Sequence, residues 1–494
     1  MNDLPSASKQ LVYALLIAVQ LVTCCFGAIG KATPKKPNIV FILADDLGWN
    51  DVDWHDPTLH SPHLNALAHG PHSAQLNFAY VNQLCSPTRS ALLSGYYPFH
   101  LGTQHGTFWW MEPTGVPVKY SFFPERLQDQ GYGTYMVGKW HIGYCKHDFL
   151  PTRRGFDKFR GYYCGLEDYY KHGMFNTRGF NFTGLDFWED TPDSFKADWN
   201  QFEQYSTEVY ANESVKMLQQ HDKAKPFFLY LAFQAVHNPM QAPDKYLVDC
   251  AHIEREERRI FCGMVNAMDQ AVGKVVKELK TLGLYENTII IFSSDNGGDT
   301  MWGGNNYPLR GNKDTLWEGG TRIVSFVHSP KYITVGGTRS KLFSIVDWYA
   351  TILAMSGIDL DGYGDGFNYW PMIANNSNIF ERKRLVYNVD GSTAAIREGQ
   401  YKLIVGNPGR PADWVKPTES GKIGPPFNQT IWLFDISRDP LELRDLSRTK
   451  PRTVNRLLQK LKAIAATGSP DIHMPLDARG DPKRFNGTFA SGWC

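Results

Sequence analysis

The run Ile39-Val40-Phe41-Ile42-Leu43-Ala44 is apolar without a break and is followed at once by Asp45-Asp46. A strand with one wet face alternates apolar and polar residues. A strand with no alternation must be covered on both faces, and helices packed on both sides of a mostly parallel sheet supply that cover. Three more runs of this kind follow at long intervals: Tyr135-Met136-Val137, Phe227 to Ala235, and Thr288 to Phe292. Between them, Pro124 to Gln130 and Phe261 to Leu282 place apolar residues three and four apart, which predicts helices. Strand, helix, strand is the order of an α/β fold. We therefore expect a large mixed, mostly parallel sheet flanked by helices over about 36–380.

From about residue 381 the texture changes. Leu385 to Val389, Ala394 to Arg397, Tyr401 to Val405 and Ile431 to Phe434 are short strand-like segments divided by Gly and Pro turns, and Arg452 to Ala466 has helical spacing. This predicts a small C-terminal α+β domain with an antiparallel sheet over 381–494. A chain of 494 residues that is 42% apolar is long enough to bury both cores.

The charges nearly cancel, 51 basic against 50 acidic, so the overall balance makes no case for nucleic acid or a membrane surface as partner. Any anion site must be local. At the N-terminus, Lys9 precedes the apolar stretch Leu11 to Ala28, with small residues at Gly27, Ala28 and Gly30, which predicts a signal peptide over 1–28. The stretch approaches the length that spans a bilayer, so an uncleaved anchor is the alternative. Sequons at Asn181, Asn212, Asn375, Asn428 and Asn486 agree with entry into the secretory pathway. With Cys24 and Cys25 in the signal and Cys85 set aside, Cys145, Cys164, Cys250, Cys262 and Cys494 remain. An odd set leaves at least one free thiol or an intermolecular partner, and Cys250 with Cys262 is one candidate pair.

In an open α/β sheet, ligands bind beyond the carboxyl ends of the strands. The four runs deliver Asp45-Asp46, Lys139-Trp140-His141, His237 and Asp295-Asn296 there. Alone, Asp45-Asp46 would be helix-capping or turn residues and Asp295-Asn296 part of a turn. Two together form an all-oxygen set suited to a hard cation such as calcium or magnesium, since neighbouring carboxylates repel unless a cation or proton intervenes. Lys139 and His141 stand two apart, a spacing that in an extended segment points both side chains one way. Lys313, in a Gly- and Asn-rich loop, can reach the same crevice. Cys85 lies at the start of a predicted helix, with Ser86 as its cap, Pro87 at its first position, Arg89 one turn in and Gly95 at its end. The free amides of a helix N-terminus favour an anion beside Cys85.

Cys85-Ser86-Pro87-Thr88-Arg89 resembles the Cys-x-Pro-x-Arg signature of type I sulfatases, and Ser90 to Gly95 resembles the rest of it. Ala44 to Gly48, Gly138 to Gly143 and Ser294 to Gly298 agree with the family in order and spacing. Leu150 to Asp157, Gln234 to His237, Gly303 to Gly311 and Leu316 to Gly320 look like the arylsulfatase B group, the N-acetylgalactosamine-4-sulfatases.

The resemblance implies an alkaline-phosphatase-like fold and hydrolysis of sulfate esters. It implies that the formylglycine-generating enzyme converts Cys85 to formylglycine, and that Asp45, Asp46, Asp295, Asn296 and the modified Cys85 hold one Ca2+ ion. One hydroxyl of the aldehyde hydrate attacks sulfur, and the second, losing its proton with help from His141, expels sulfate. Arg89 braces the modified residue, Lys139 and Lys313 stabilise the sulfuryl oxygens, and His237 with Lys313 protonates the departing alcohol. Substrates implied are aryl sulfates or sulfated sugars, with N-acetylgalactosamine 4-sulfate of chondroitin or dermatan sulfate first. The compartment implied is the lysosome or the extracellular space. One rival is a metal-dependent phosphoesterase of the same superfamily, which would use Ser or Thr as nucleophile and histidines at a second metal. Cys85 and Lys139 argue against it. The other is a non-catalytic binding protein that keeps the fold, yet every position the chemistry needs is present.

Overall fold

The four apolar runs lie side by side. Thr288–Ser294, Asn38–Ala44, Phe227–Ala232 and Gly133–Lys139 are neighbours, in that order, at the centre of a ten-stranded sheet, and each pairing among them is parallel. The first three are buried at every residue, which explains why their sequences show no alternation. The computed structural model describes residues 35–175, 182–358, 360, 362–378, 382–391, 393–411, 413–419 and 427–494. The expected signal peptide and the sequon at Asn181 lie outside them.

Flanking the centre are Phe326–His328, Ser73–Tyr80 and Gly337–Ser344 on one side, and Lys158–Tyr162, Trp188–Thr191 and Ser194–Ala197 on the other. Antiparallel pairs enter only in these flanks, so the sheet is mixed and mostly parallel, as expected. Alternate residues of the first strand feed two cores. Ile39, Phe41 and Leu43 face one, and Val40, Ile42 and Ala44 the other. The second is covered by the helix Glu256–Thr281 through Phe261, Met264, Met268 and Val272. Burying such side chains contributes about 1.5–3 kcal/mol each.

The run from Phe227 ends as a strand at Ala232 rather than Ala235, because the chain then crosses toward the first strand. The Phe233 amide donates to the Leu43 carbonyl at 2.9 Å, and the Val236 amide to that of Asp45 at 2.7 Å. Apolar character thus continues past the end of the ladder, and this crossing carries His237 to the site.

Arg384–Asp390, Thr393–Glu398, Tyr401–Val405 and Ile431–Asp435 form a separate four-stranded antiparallel sheet. The helix Pro451–Ala465 packs on it through Val454, Leu457 and Leu461. Lys402 from this sheet is fully buried, with Nζ 2.9 Å from Glu318 and 2.9 Å from Glu442, and the Tyr80 hydroxyl donates to Glu318 at 2.7 Å. Disulfides join Cys145 to Cys494 and Cys250 to Cys262, leaving Cys85 and Cys164 as the buried free cysteines among the described residues. Asn212, Asn375, Asn428 and Asn486 are all exposed. Among the described residues, no helix is long and apolar enough to cross a membrane.

Burial pushes the carboxyls of Asp186 and Asp269 up to about 7. Between pH 4 and 7 each therefore holds a proton in the folded chain that the unfolded chain has released, so stability falls as pH rises through that range. Thermal unfolding is expected at higher temperature at pH 5 than at pH 8. Asp269→Asn, which retains an oxygen to accept the Leu64 amide, is expected to reduce that difference.

Candidate active site

Strand register sets the site. Ala44 pairs with Ser294, so Asp45 and Asp295 leave the sheet side by side, and the Asp295 amide donates to the Ala44 carbonyl at 3.1 Å. The Asp46 amide donates to Asp295 Oδ1 at 3.2 Å. Asp46 has φ 59°, a left-handed conformation that aspartate adopts more readily than most residues, and the sharp turn separates its carboxylate from that of Asp45. Asn296 Nδ2 donates to Asp46 Oδ1 at 2.7 Å, while Asn296 Oδ1 is buried without a hydrogen-bond partner.

Cys85 opens the helix Cys85–Ser94 and is 1% exposed. Its sulfur lies 3.6 Å from Asp45 Oδ1. The helix starts two residues earlier than its capping pattern implies, with Leu84 rather than Ser86 before it. Ser86 does not cap it, because its hydroxyl instead accepts the Phe108 amide at 3.1 Å. Gly95 ends it at φ 75°, as expected. Arg89, 0% exposed, donates through Nε and Nη2 to Asp295 Oδ2 at 3.0 and 2.8 Å, and through Nη1 to the Lys139 carbonyl at 2.9 Å.

Lys139 donates to Asp45, and Lys313 to Asp46 at 2.8 Å. The extended spacing of Lys139 and His141 is not what aligns them. The strand stops at Lys139, and His141 has φ 61°, so a turn brings its ring back toward Lys139 and Arg89. Gly138 permits the close approach there, since a Cβ on it would meet the Ala232 carbonyl oxygen at 1.9 Å. His141 Nε2 lies 3.0 Å from the Phe108 carbonyl, so this nitrogen carries the hydrogen. Burial, with Lys139 and Arg89 beside it, holds its pKa well below the usual value, and the ring is neutral. Its Nδ1 is a buried lone pair with no partner. His237 is similar: Nδ1 gives its hydrogen to the Asn238 carbonyl at 2.7 Å, Nε2 lies 3.7 Å from Asp46, and burial and Lys313 bring its pKa down to about 3.

All ten residues singled out in the sequence meet at this place. Asp45, Asp46, Cys85 and His237 each offer a donor atom within 4.8 Å of the others, a cluster that could hold a metal ion. Burial and Asp295 push the Asp45 carboxyl up to about 7, against the pull of Lys139 and Arg89. Burial likewise opposes ionisation of Asp46, but Lys313, His237 and Asn296 hold it below the carboxylate range. Burial and Asp295 also push the Cys85 thiol up, so an unmodified Cys85 is a protonated, weak nucleophile. The site can bind a cation through oxygen, an anion between two ammonium groups, and accept a proton at His141. Sequence reasoning missed Phe108, which ties Ser86 to His141 through its main-chain amide and carbonyl. No side-chain pattern could signal it.

A profile of the family described as Sulfatase matches residues 37–358. Arylsulfatase J of Mus musculus is 38% identical over 94% of this chain and 81% of its own length. The N-acetylgalactosamine-6-sulfatase of the same species is 31% identical over 77% of this chain and 74% of its own. The solved structure of Ps i-CgsB in complex with k-i-k-neocarrahexaose superposes with a TM-score of 0.75 at 29% identity, over 92% of this chain and 100% of that one.

Arg89→Met would leave Asp295 and Asp45 buried without the guanidinium. Removing one partner of a buried pair costs about 3–5 kcal/mol, and urea unfolding of the variant is expected to show a loss of that size.

Proposed function

The chain belongs to the sulfatase family and is a sulfuric ester hydrolase, and from this premise we propose that it works through Cys85 converted to formylglycine beside one Ca2+ ion. The observation that carries the reading is Cys85 in the first turn of its helix, 3.6 Å from Asp45 and inside the donor cluster. The unpartnered Oδ1 of Asn296 supports a hard cation, since a buried carbonyl oxygen without a donor is the atom such an ion would satisfy. Asp45, Asp46, Asp295, Asn296 and the modified Cys85 would hold it, and when bound it polarises sulfuryl oxygen and acidifies a neighbouring hydroxyl. Once hydrated by addition of water, the formylglycine aldehyde would supply two hydroxyls on one carbon, one to attack sulfur and one whose deprotonation expels sulfate and restores the aldehyde.

The remaining roles belong to the chain's own side chains. Lys139 and Lys313 neutralise the sulfuryl oxygens. Arg89 holds Asp295 and the end of the Lys139 strand in register with Cys85. His141, neutral and with Nδ1 open, takes the proton whose loss releases sulfate. Of the two groups facing the departing alcohol, Lys313 carries a proton and His237 presents a lone pair, which favours Lys313 as donor and His237 as a positioning partner.

We take the substrate to be a sulfated sugar. The names of two similar proteins, an N-acetylgalactosamine-6-sulfatase and a structure bound to k-i-k-neocarrahexaose, support a sugar. The arylsulfatase B motifs favour N-acetylgalactosamine 4-sulfate of chondroitin or dermatan sulfate. Two disulfides and four exposed sequon asparagines support passage through the secretory pathway to lysosome or cell exterior, as a glycoprotein matured by the formylglycine-generating enzyme.

Mass spectrometry of the Cys85 peptide, from protein made in cells that hold the modifying enzyme, is expected to show an aldehyde or its hydrate. An unmodified thiol throughout active protein refutes the proposal. Cys85→Ser is expected to fold and to lose multiple turnover of a small aryl sulfate. Chelation is expected to abolish activity, with calcium restoring it and zinc, which prefers nitrogen and sulfur, failing to.

A further inference from the structure

Charge that balances over the whole chain does not balance locally. Between Leu446 and Pro470 lie six basic residues and no acidic one. Three of them, Arg452, Arg456 and Lys460, stand four apart on the helix Pro451–Ala465, a stripe about 12 Å long at 1.5 Å per residue. Like charges at that spacing weaken a helix, and no acid within the helix offsets them. The opposite face packs Val454, Leu457 and Leu461 on the small sheet, so the stripe faces outward.

Strand Arg384–Asp390 adds Arg384 beside it, with exposed Lys383 just before. Arg384, Arg456 and Lys460 converge on one carboxylate, Glu398, with Arg384 Nη2 at 3.2 Å. Three cations on one anion leave two charges over. Lys383, Arg384 and Lys460 line a groove of about 750 Å³ that Tyr97, Phe99 and His100 also line, and Arg456 lies next to it on Glu398. The groove's other carboxylate, Asp365, is already bound by His100 and the Tyr97 amide, each at 2.7 Å. Tyr97, Phe99 and His100 follow directly on the helix that starts at Cys85, so about 15 Å of helix separates the groove from the reacting residue.

We propose that this groove is a second, non-catalytic binding site for a sulfated polysaccharide, in which sulfate groups of the polymer neutralise Lys383, Arg384 and Lys460 in the groove and Arg456 and Arg452 on the helix stripe that continues from it. The identity of the polymer rests on the function proposed above. The charge excess and the concave shape are independent of it. A groove fits a strand where a planar membrane surface would not enter, and guanidinium groups pair with sulfate oxygens two at a time.

The test uses the full-length Cys85→Ala protein, titrated with chondroitin sulfate and with dextran sulfate at several salt concentrations. Arg384→Gln, Arg456→Gln and Lys460→Gln combined are expected to weaken binding at least tenfold and to flatten its salt dependence, because fewer counterions are released. With Cys85 intact, the same triple variant is expected to keep the wild-type kcat/KM on a small aryl sulfate and to raise KM on the polymer. Should the triple variant not fold, Arg384→Gln with Lys383→Gln serves in its place, with at least a threefold loss expected. Equal affinity of variant and parent for both polymers overturns the proposal. So does tighter binding to phosphatidylserine vesicles or single-stranded RNA than to either sulfated polymer. Absence of turnover on any sulfate ester by the wild type would count against the catalytic reading alone, since polymer binding is measured in a protein that needs no turnover.

Discussion

One guanidinium holds the buried polar cluster together. Arg89 reaches Asp295 through two nitrogens and the Lys139 carbonyl through a third, while the other oxygen of Asp295 accepts the Asp46 amide. The ends of three strands and the Cys85 helix are thereby joined through groups that water does not reach. Three carboxylates in such a place would repel one another strongly. Arg89, Lys139 and Lys313 match them charge for charge, so the core is formally neutral and the desolvation of each ion is offset by a partner at contact distance.

The small sheet supports this arrangement from below. Lys402 binds Glu318, and two residues on, the Gly320 carbonyl accepts the Gly297 amide at 3.0 Å, next to Asn296. Packing there is tight enough that a Cβ on Gly297 would meet the Gly319 oxygen at 1.8 Å. The C-terminal segment is thus coupled by a short chain of contacts to the loop carrying Asp295 and Asn296, and is not merely an appendage on the large sheet.

Much of this was legible in the sequence because burial on both faces erases alternation. The four runs that showed none are the four central strands, and the polar residues ending them converge in the candidate site. The flanking strands were not legible. Ser194–Ala197 is half-exposed and short, and Lys158–Tyr162 carries two charged residues and a glycine within five positions. Turn geometry was misread where a side chain serves a distant partner: Ser86 has the composition of a cap but serves Phe108, and His141 depends on a left-handed turn that spacing cannot reveal. The odd cysteine resolves as Cys164, and Cys145 finds a partner 349 residues away, a pairing no local pattern encodes.

Burial of Cys85 also orders events in time. At 1% exposure, beneath its own helix and the Phe108 loop, it offers no surface on which another protein's active site could close. Any enzyme that alters it must meet this segment as extended chain, before the parallel strands assemble. Strands Asn38–Ala44 and Thr288–Ser294 pair across some 250 residues of intervening sequence, so the pocket cannot form until most of the chain has emerged. Long-range pairing thereby grants a window of access that a fold built from local contacts would have closed early.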